Sequence, residues 1–135
     1  MIKKIRSKHP RPYLLILVAV FITILIFTFF DFLIHSLSKE YAVPDYYFKN
    51  KIIYGTLIGF ITYLFLKNKS IFTKALIFSS IVSVLLQIRY YFIEHYALNF
   101  VLEFLVIHFL ILLPVSWFVF YFERKFEPHY KNIGN

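Results

Sequence analysis

The chain has 135 residues, of which 60% are hydrophobic, 22% aromatic and only 16% charged, with a formal net charge of +8. Soluble domains run at about 45–50% apolar and about 25% charged residues, so a disordered chain, a collagen-like chain and an ordinary water-soluble enzyme are excluded. The chain has no cysteine, which removes disulfide scaffolds, thiolate metal sites and cysteine nucleophiles and leaves a small integral membrane protein.

A membrane-spanning helix takes about 20 mostly apolar residues, because the hydrocarbon layer is about 30 Å thick and each helical residue advances about 1.5 Å. After a basic tail, 1–12, the uncharged run from Tyr13 to Phe30 opens a first span over 13–37. Ser36-Leu37-Ser38 resembles a signal-cleavage site, but a signal core is about 7–15 residues long, so the mature chain is expected to keep this span. The second span, 50–66, is the shortest, and its flanking Lys49, Lys51, Lys67 and Lys69 are expected to snorkel to the head groups. The third, 71–93, is apolar apart from Gln87, Arg89 and a few serines. The fourth, 98–122, contains Glu103, His108 and Pro114, and a tail over 123–135 follows it. Pro114 leaves the Leu110 carbonyl without its usual amide partner, so a kink is expected there. Short connections make the expected fold all-α: a four-helix transmembrane bundle of up-down topology, in one domain.

Lys and Arg collect on the cytoplasmic side of short-looped membrane proteins. Lys3, Lys4, Arg6, Lys8 and Arg11, then Lys67, Lys69 and Lys74, then Arg124, Lys125 and Lys131 make eleven on one side, against Lys39, Lys49 and Lys51 on the other. Both termini are therefore expected in the cytoplasm, N-in and C-in. The cations sit at helix ends, where anionic lipids attract them by about 1 kcal/mol each, so the partner expected is the membrane lipid and not nucleic acid. The tail with His9, Pro10 and Pro12 reads as a lipid-surface anchor. Tyr41, Tyr46, Tyr47 and Phe48 on one side, and Trp117, Tyr121 and Phe122 on the other, suit the aromatic belts of the two interfaces.

Helices in a bilayer associate through close packing and interhelical hydrogen bonds. Gly55 and Gly59 form a GxxxG in the second span, and Ala75, Ser79, Ser83 and Gln87 form a stripe at four-residue spacing in the third. These two faces are expected to pack on each other, the alternative being a homodimer seam through the glycines.

Ionisable groups inside a bilayer are retained when they are paired or functional. Asp31, Arg89 and Glu103 fall in one layer of the outer half, with His35 one turn above Asp31, Glu94 and His95 capping the same side, and His108 deeper. An ion-pair network of Arg89 between Asp31 and Glu103 is the structural reading. Asp31 and His35, with Glu103 as a third group, are the candidate metal ligands, and a carboxylate beside an imidazole can also relay protons. Glu103 and His108 are five residues apart, about 140° around a helix, so they do not share a face. No phosphate loop, dinucleotide turn, nucleophile elbow or paired metal motif occurs in the chain.

The leading expectation is a non-enzymatic polytopic protein in the cell membrane, an accessory subunit or transporter-like module without a cofactor. A carrier built from four short helices is expected to need a homo-oligomer or a membrane protein partner. The alternative is an intramembrane enzyme acting on a lipid-linked substrate through Asp31, His35, Glu103 and His108.

Overall fold

The computed structural model describes the backbone of residues 11–133 and the side chains of residues 13–125. It is all-helical, with no strand among the described residues: α1 (Arg11–His35), a short 3-10 turn (Lys39–Tyr41), α2 (Tyr46–Phe65), α3 (Ile71–Phe92) and α4 (Leu98–Ile133). The side chains of Lys3, Lys4, Arg6, Lys8, His9, Pro10, Arg11, Pro12 and Lys131 lie outside the described residues.

Local chemistry sets the helix ends. Ser38 caps the 3-10 turn by accepting from the Glu40 amide at 3.2 Å, and Ser70 caps α3 by accepting from the Thr73 amide at 3.4 Å. Beyond α3, His95 takes a left-handed backbone, φ 59°, and the Tyr96 amide reaches back to the Tyr90 carbonyl at 3.2 Å. That reversal carries the chain into α4 within a few residues. α4 is 36 residues long and runs through Pro114 without a break in the helix.

Three segments are long and apolar enough to cross a membrane: Tyr13–His35, Ile71–Phe92 and Leu98–Lys125. α2 is not among them, because Lys49 and Lys51 in its first half, with its glycines and threonines, dilute its apolar character.

The helices close a ring in which α1 packs on α2 and α4, and α3 packs on α2 and α4. Among the described residues neither diagonal pair brings its backbones together, so side chains fill the middle. The outward faces carry exposed Leu14, Phe29, Leu102, Val106, Leu110 and Phe118. Buried positions include Asp31, Lys51, Gln87, His108 and Ser116. Apolar groups outside and polar groups inside suit a lipid solvent and would be a liability in water.

The expected packing of α2 on α3 is present, but the α3 residue that Gly59 meets is Phe78 and not the serine stripe. A Cβ on Gly59 would lie 2.8 Å from Val20 of α1 and 2.9 Å from the Phe78 ring of α3, and one on Gly55 would lie 3.2 Å from Ile24 of α1. The glycines thus let α2 approach α1 closely, while Phe78 occupies the space facing α3. The stripe turns instead to α4, where the Ser79 and Ser116 hydroxyls bond at 3.1 Å. Ser83, one turn along, is buried beside it.

Candidate functional site

Each of the four helices sends at least one polar side chain into the ring near the end of α1. Asp31 and His35 share a face of α1 at i and i+4. Lys51 enters from the second turn of α2, Gln87 from α3 and His108 from α4. Asp31, Lys51 and His108 are each 0% exposed.

The Lys51 ammonium donates to Asp31 Oδ2 and, at 3.1 Å, to the Tyr47 hydroxyl one turn earlier. It also lies 4.3 Å from the centre of the Tyr47 ring and 5.0 Å from that of Phe27, a partial cation–π cage. His108 Nε2 is 2.9 Å from Asp31 Oδ1 and 3.1 Å from Lys51 Nζ, and its Nδ1 is 2.6 Å from Gln87 Nε2. An amide nitrogen only donates, so Nδ1 is the acceptor of a neutral imidazole and the Nε2 hydrogen points to Asp31. A buried ion pair is tolerable when further hydrogen bonds complete both partners, and here they do.

His35 approaches the same carboxylate from the connection side. Its Nδ1 is 2.6 Å from the Tyr41 carbonyl oxygen, which only accepts, so the ring hydrogen lies there. Its Nε2 faces Asp31 Oδ2 at 3.3 Å without hydrogen-bond alignment. The ring stacks on Phe104, with centroids 4.3 Å apart and planes inclined by 3°. Tyr47 and Tyr90, stacked at 4.8 Å, complete an aromatic cover.

The connections above the site hold perturbed phenols. The Tyr41 hydroxyl donates to Glu103 Oε1 at 2.6 Å, and that carboxylate holds its pKa above the ordinary 10.0. Tyr96 is pushed up to about 12, mainly by burial, with Tyr46 and Glu94 adding to the effect.

Several sequence expectations change. Arg89 does not bridge Asp31 and Glu103: it pairs with Glu94 at 3.0 Å, its guanidinium 4.0 Å from the centre of the Tyr54 ring. Gln87 and Tyr90 take the inward face of α3, and Arg89, two residues or about 200° from Gln87, is turned away. Glu103 is exposed and bonded to Tyr41, because an inward His108 leaves it about 140° off the interior. Of the three ligand candidates, Asp31 and His35 meet, and His108 takes the place expected of Glu103. Lys51 is the residue that sequence reasoning missed. It does not snorkel, and it belongs to the buried stripe Tyr47, Lys51, Gly55, Gly59 on α2. Extending the GxxxG backward by four residues would have found it.

A second polar group lies at the opposite ends of α2 and α4. The Tyr63 hydroxyl donates to Glu123 Oε2 and accepts from Lys74 Nζ at 3.1 Å, all three residues being buried. Lys74 lies on α3, within the expected span 71–93, and Glu123, expected in the tail over 123–135, lies on α4.

Comparison of the chain with protein-family models, with curated proteins and with solved structures gave no match. Function therefore has to be argued from the centre itself. Chemically it is one carboxylate enclosed by an ammonium and two imidazoles. A groove of about 180 Å³ between α3 and α4 reaches Gln87 along walls such as Leu98 and Leu102.

Proposed function

We propose that the chain is a non-enzymatic, transporter-like module that crosses the membrane four times with both termini in the cytoplasm. Its Asp31 centre is a binding site for a cation, and the Lys51 ammonium holds that site when the cation is absent. Three helices have the length and apolarity of spans. α2 joins them because its most costly group, Lys51, enters the bundle already paired with Asp31.

One observation carries the cation reading. The Asp31 carboxylate is approached by three groups that can bear positive charge, Lys51, His35 and His108, from three helices. Fixing helix order would take one of them. Imidazoles that remain around the anion favour exchange, since Lys51 can leave without stranding the carboxylate beside apolar groups alone.

Reconstitution into lipid vesicles tests this. Cation-sensitive dyes inside the vesicles are expected to respond when sodium, potassium or divalent salts are added outside, and Asp31→Asn abolishes the response. If no cation in that set binds or moves, and Asp31→Asn is as stable as the parent, the reading is overturned.

A further inference from the structure

We infer that Asp31, His35 and His108 form a site for a divalent transition metal of the zinc class, entered by exchange with the Lys51 ammonium. This deepens the cation-binding reading above and rests on it.

The geometry comes first. One ligand atom from each of the three buried side chains lies within 4.8 Å of the other two. A tetrahedral metal with bonds of about 2.0–2.1 Å sets neighbouring ligand atoms about 3.3 Å apart. His35 Nε2 stands 3.3 Å from Asp31 Oδ2, and His108 Nε2 stands 2.9 Å from Asp31 Oδ1. Those distances are to different carboxylate oxygens, so the three side chains must draw closer together to share one ion.

Both imidazoles are also held from behind. Metal-binding histidines characteristically engage the far ring nitrogen with a carbonyl, carboxylate or similar group, which fixes tautomer and orientation. His35 does this through Nδ1 to the Tyr41 carbonyl, whereas His108 Nδ1 faces the Gln87 amide nitrogen and gains the same support only when that amide turns over to present Oε1. The His35 arrangement is the more telling. With its hydrogen on Nδ1, the lone pair of Nε2 faces a carboxylate oxygen, and Nε2 has no hydrogen-bond partner although the residue is only 5% exposed. Two electron-rich atoms opposed in a buried site favour a cation beside them, the place that the Lys51 ammonium holds on Asp31 Oδ2 and that a metal bonded to both atoms would take.

Donor chemistry selects the ion. Two imidazoles and a carboxylate suit zinc, cobalt, nickel or copper, whereas calcium and magnesium take oxygen ligands almost throughout. A fourth position remains for water.

Lys51 is the competitor, and it has somewhere to go. The Tyr47 hydroxyl and ring already contact its ammonium, one turn nearer the start of α2. The exchange balances without proton release. The dication enters, the ammonium shifts toward Tyr47 with its proton, and the His108 hydrogen moves from Nε2 to Nδ1. Gln87, with its amide turned over, accepts that hydrogen through Oε1, a buried oxygen that has no hydrogen-bond partner.

The test is a titration of the full-length protein in lipid nanodiscs, stripped with chelator, with cobalt(II) as the probe and zinc as its competitor. One cobalt per chain with the intense visible bands of a low-coordinate site is expected. His35→Gln and His108→Gln each weaken it by at least about tenfold, as loss of a ligand should exceed the loss of an outer-shell partner. Lys51→Met is expected to bind more tightly than the parent, because the resident cation is gone, and zinc raises its melting temperature. Circular dichroism and size-exclusion chromatography establish that each variant is folded. Absence of stoichiometric metal from folded parent protein overturns the proposal. So does cobalt binding that survives the double His35→Gln, His108→Gln substitution, which would place the metal elsewhere. Weaker binding by folded Lys51→Met overturns the exchange with Lys51. Vesicle flux of monovalent cations that depends on Asp31, without metal binding, would refute the metal while leaving the cation-binding reading intact.

Discussion

The buried pair of Asp31 and Lys51 makes a quantitative demand on stability. Removing one member of a buried ion pair costs about 3–5 kcal/mol, because the other charge is left uncompensated. The two single substitutions should differ within that range. Lys51→Met leaves Asp31 accepting from His108 at 2.9 Å, so its cost is expected at the lower end, about 3 kcal/mol. Asp31→Asn leaves the ammonium with only the Tyr47 hydroxyl, at 3.1 Å, and aromatic faces, so about 5 kcal/mol is expected. The double variant removes both charges, keeps an amide for His108 and fills the Lys51 stem with Met. It should lie within about 2 kcal/mol of the parent, a coupling of about 6 kcal/mol, near the top of the measured range for charge pairs. Equilibrium unfolding in mixed micelles with rising SDS, followed by far-UV circular dichroism, reads all four proteins. If the double variant loses the sum of the single losses to within about 0.5 kcal/mol, the two residues are independent and the buried pair is refuted.

The two glycines of α2 should respond differently to alanine. Alanine gains about 1 kcal/mol of helix propensity at either site, but a Cβ on Gly59 meets Val20 and Phe78 at 2.8 and 2.9 Å, both fully buried, and overpacking costs about 1–3 kcal/mol. Gly59→Ala is therefore expected to destabilise and Gly55→Ala, at 3.2 Å from Ile24, to be near neutral in the same unfolding assay. His95→Gly should stabilise by about 1 kcal/mol, since glycine carries no Cβ penalty in a left-handed backbone, here φ 59°. Tyr96 has its folded pKa raised from 10.0 to about 12, so the folded chain holds this proton more tightly than the unfolded one. The contribution is present in full below pH 10 and is lost as the pH climbs toward about 12; Tyr96→Phe should flatten that part of the stability profile.

The helices were legible because composition and run length carry them. A long uncharged stretch such as Tyr13 to Phe30 has few alternatives in a chain this apolar. Asp31 and His35 were legible as neighbours because four-residue spacing puts them on one helix face. The partners across the bundle were not. Depth along the membrane normal placed Asp31, Arg89 and Glu103 in one layer, but depth carries no information about azimuth, and azimuth turned Arg89 toward Glu94 and Glu103 toward Tyr41. Lys51 was obscured for a related reason. At a helix end a lysine near the interface reads as a snorkelling anchor, and only its register with Gly55 and Gly59 reveals that it faces inward. The glycine face was recognised as a packing face, but its own spacing does not show which helices it meets, here Val20 and Ile24 of α1 and Phe78 of α3.

The segment between α1 and α2 has its own consequence. Tyr41 grips the bundle twice, its carbonyl holding the His35 ring and its hydroxyl holding Glu103 of α4. A surface connector that touches both an interior imidazole and a distant helix is a mechanical component and not a spacer. Lengthening or cleaving it would release the orientation of His35, so the integrity of a mostly exposed segment governs a buried group.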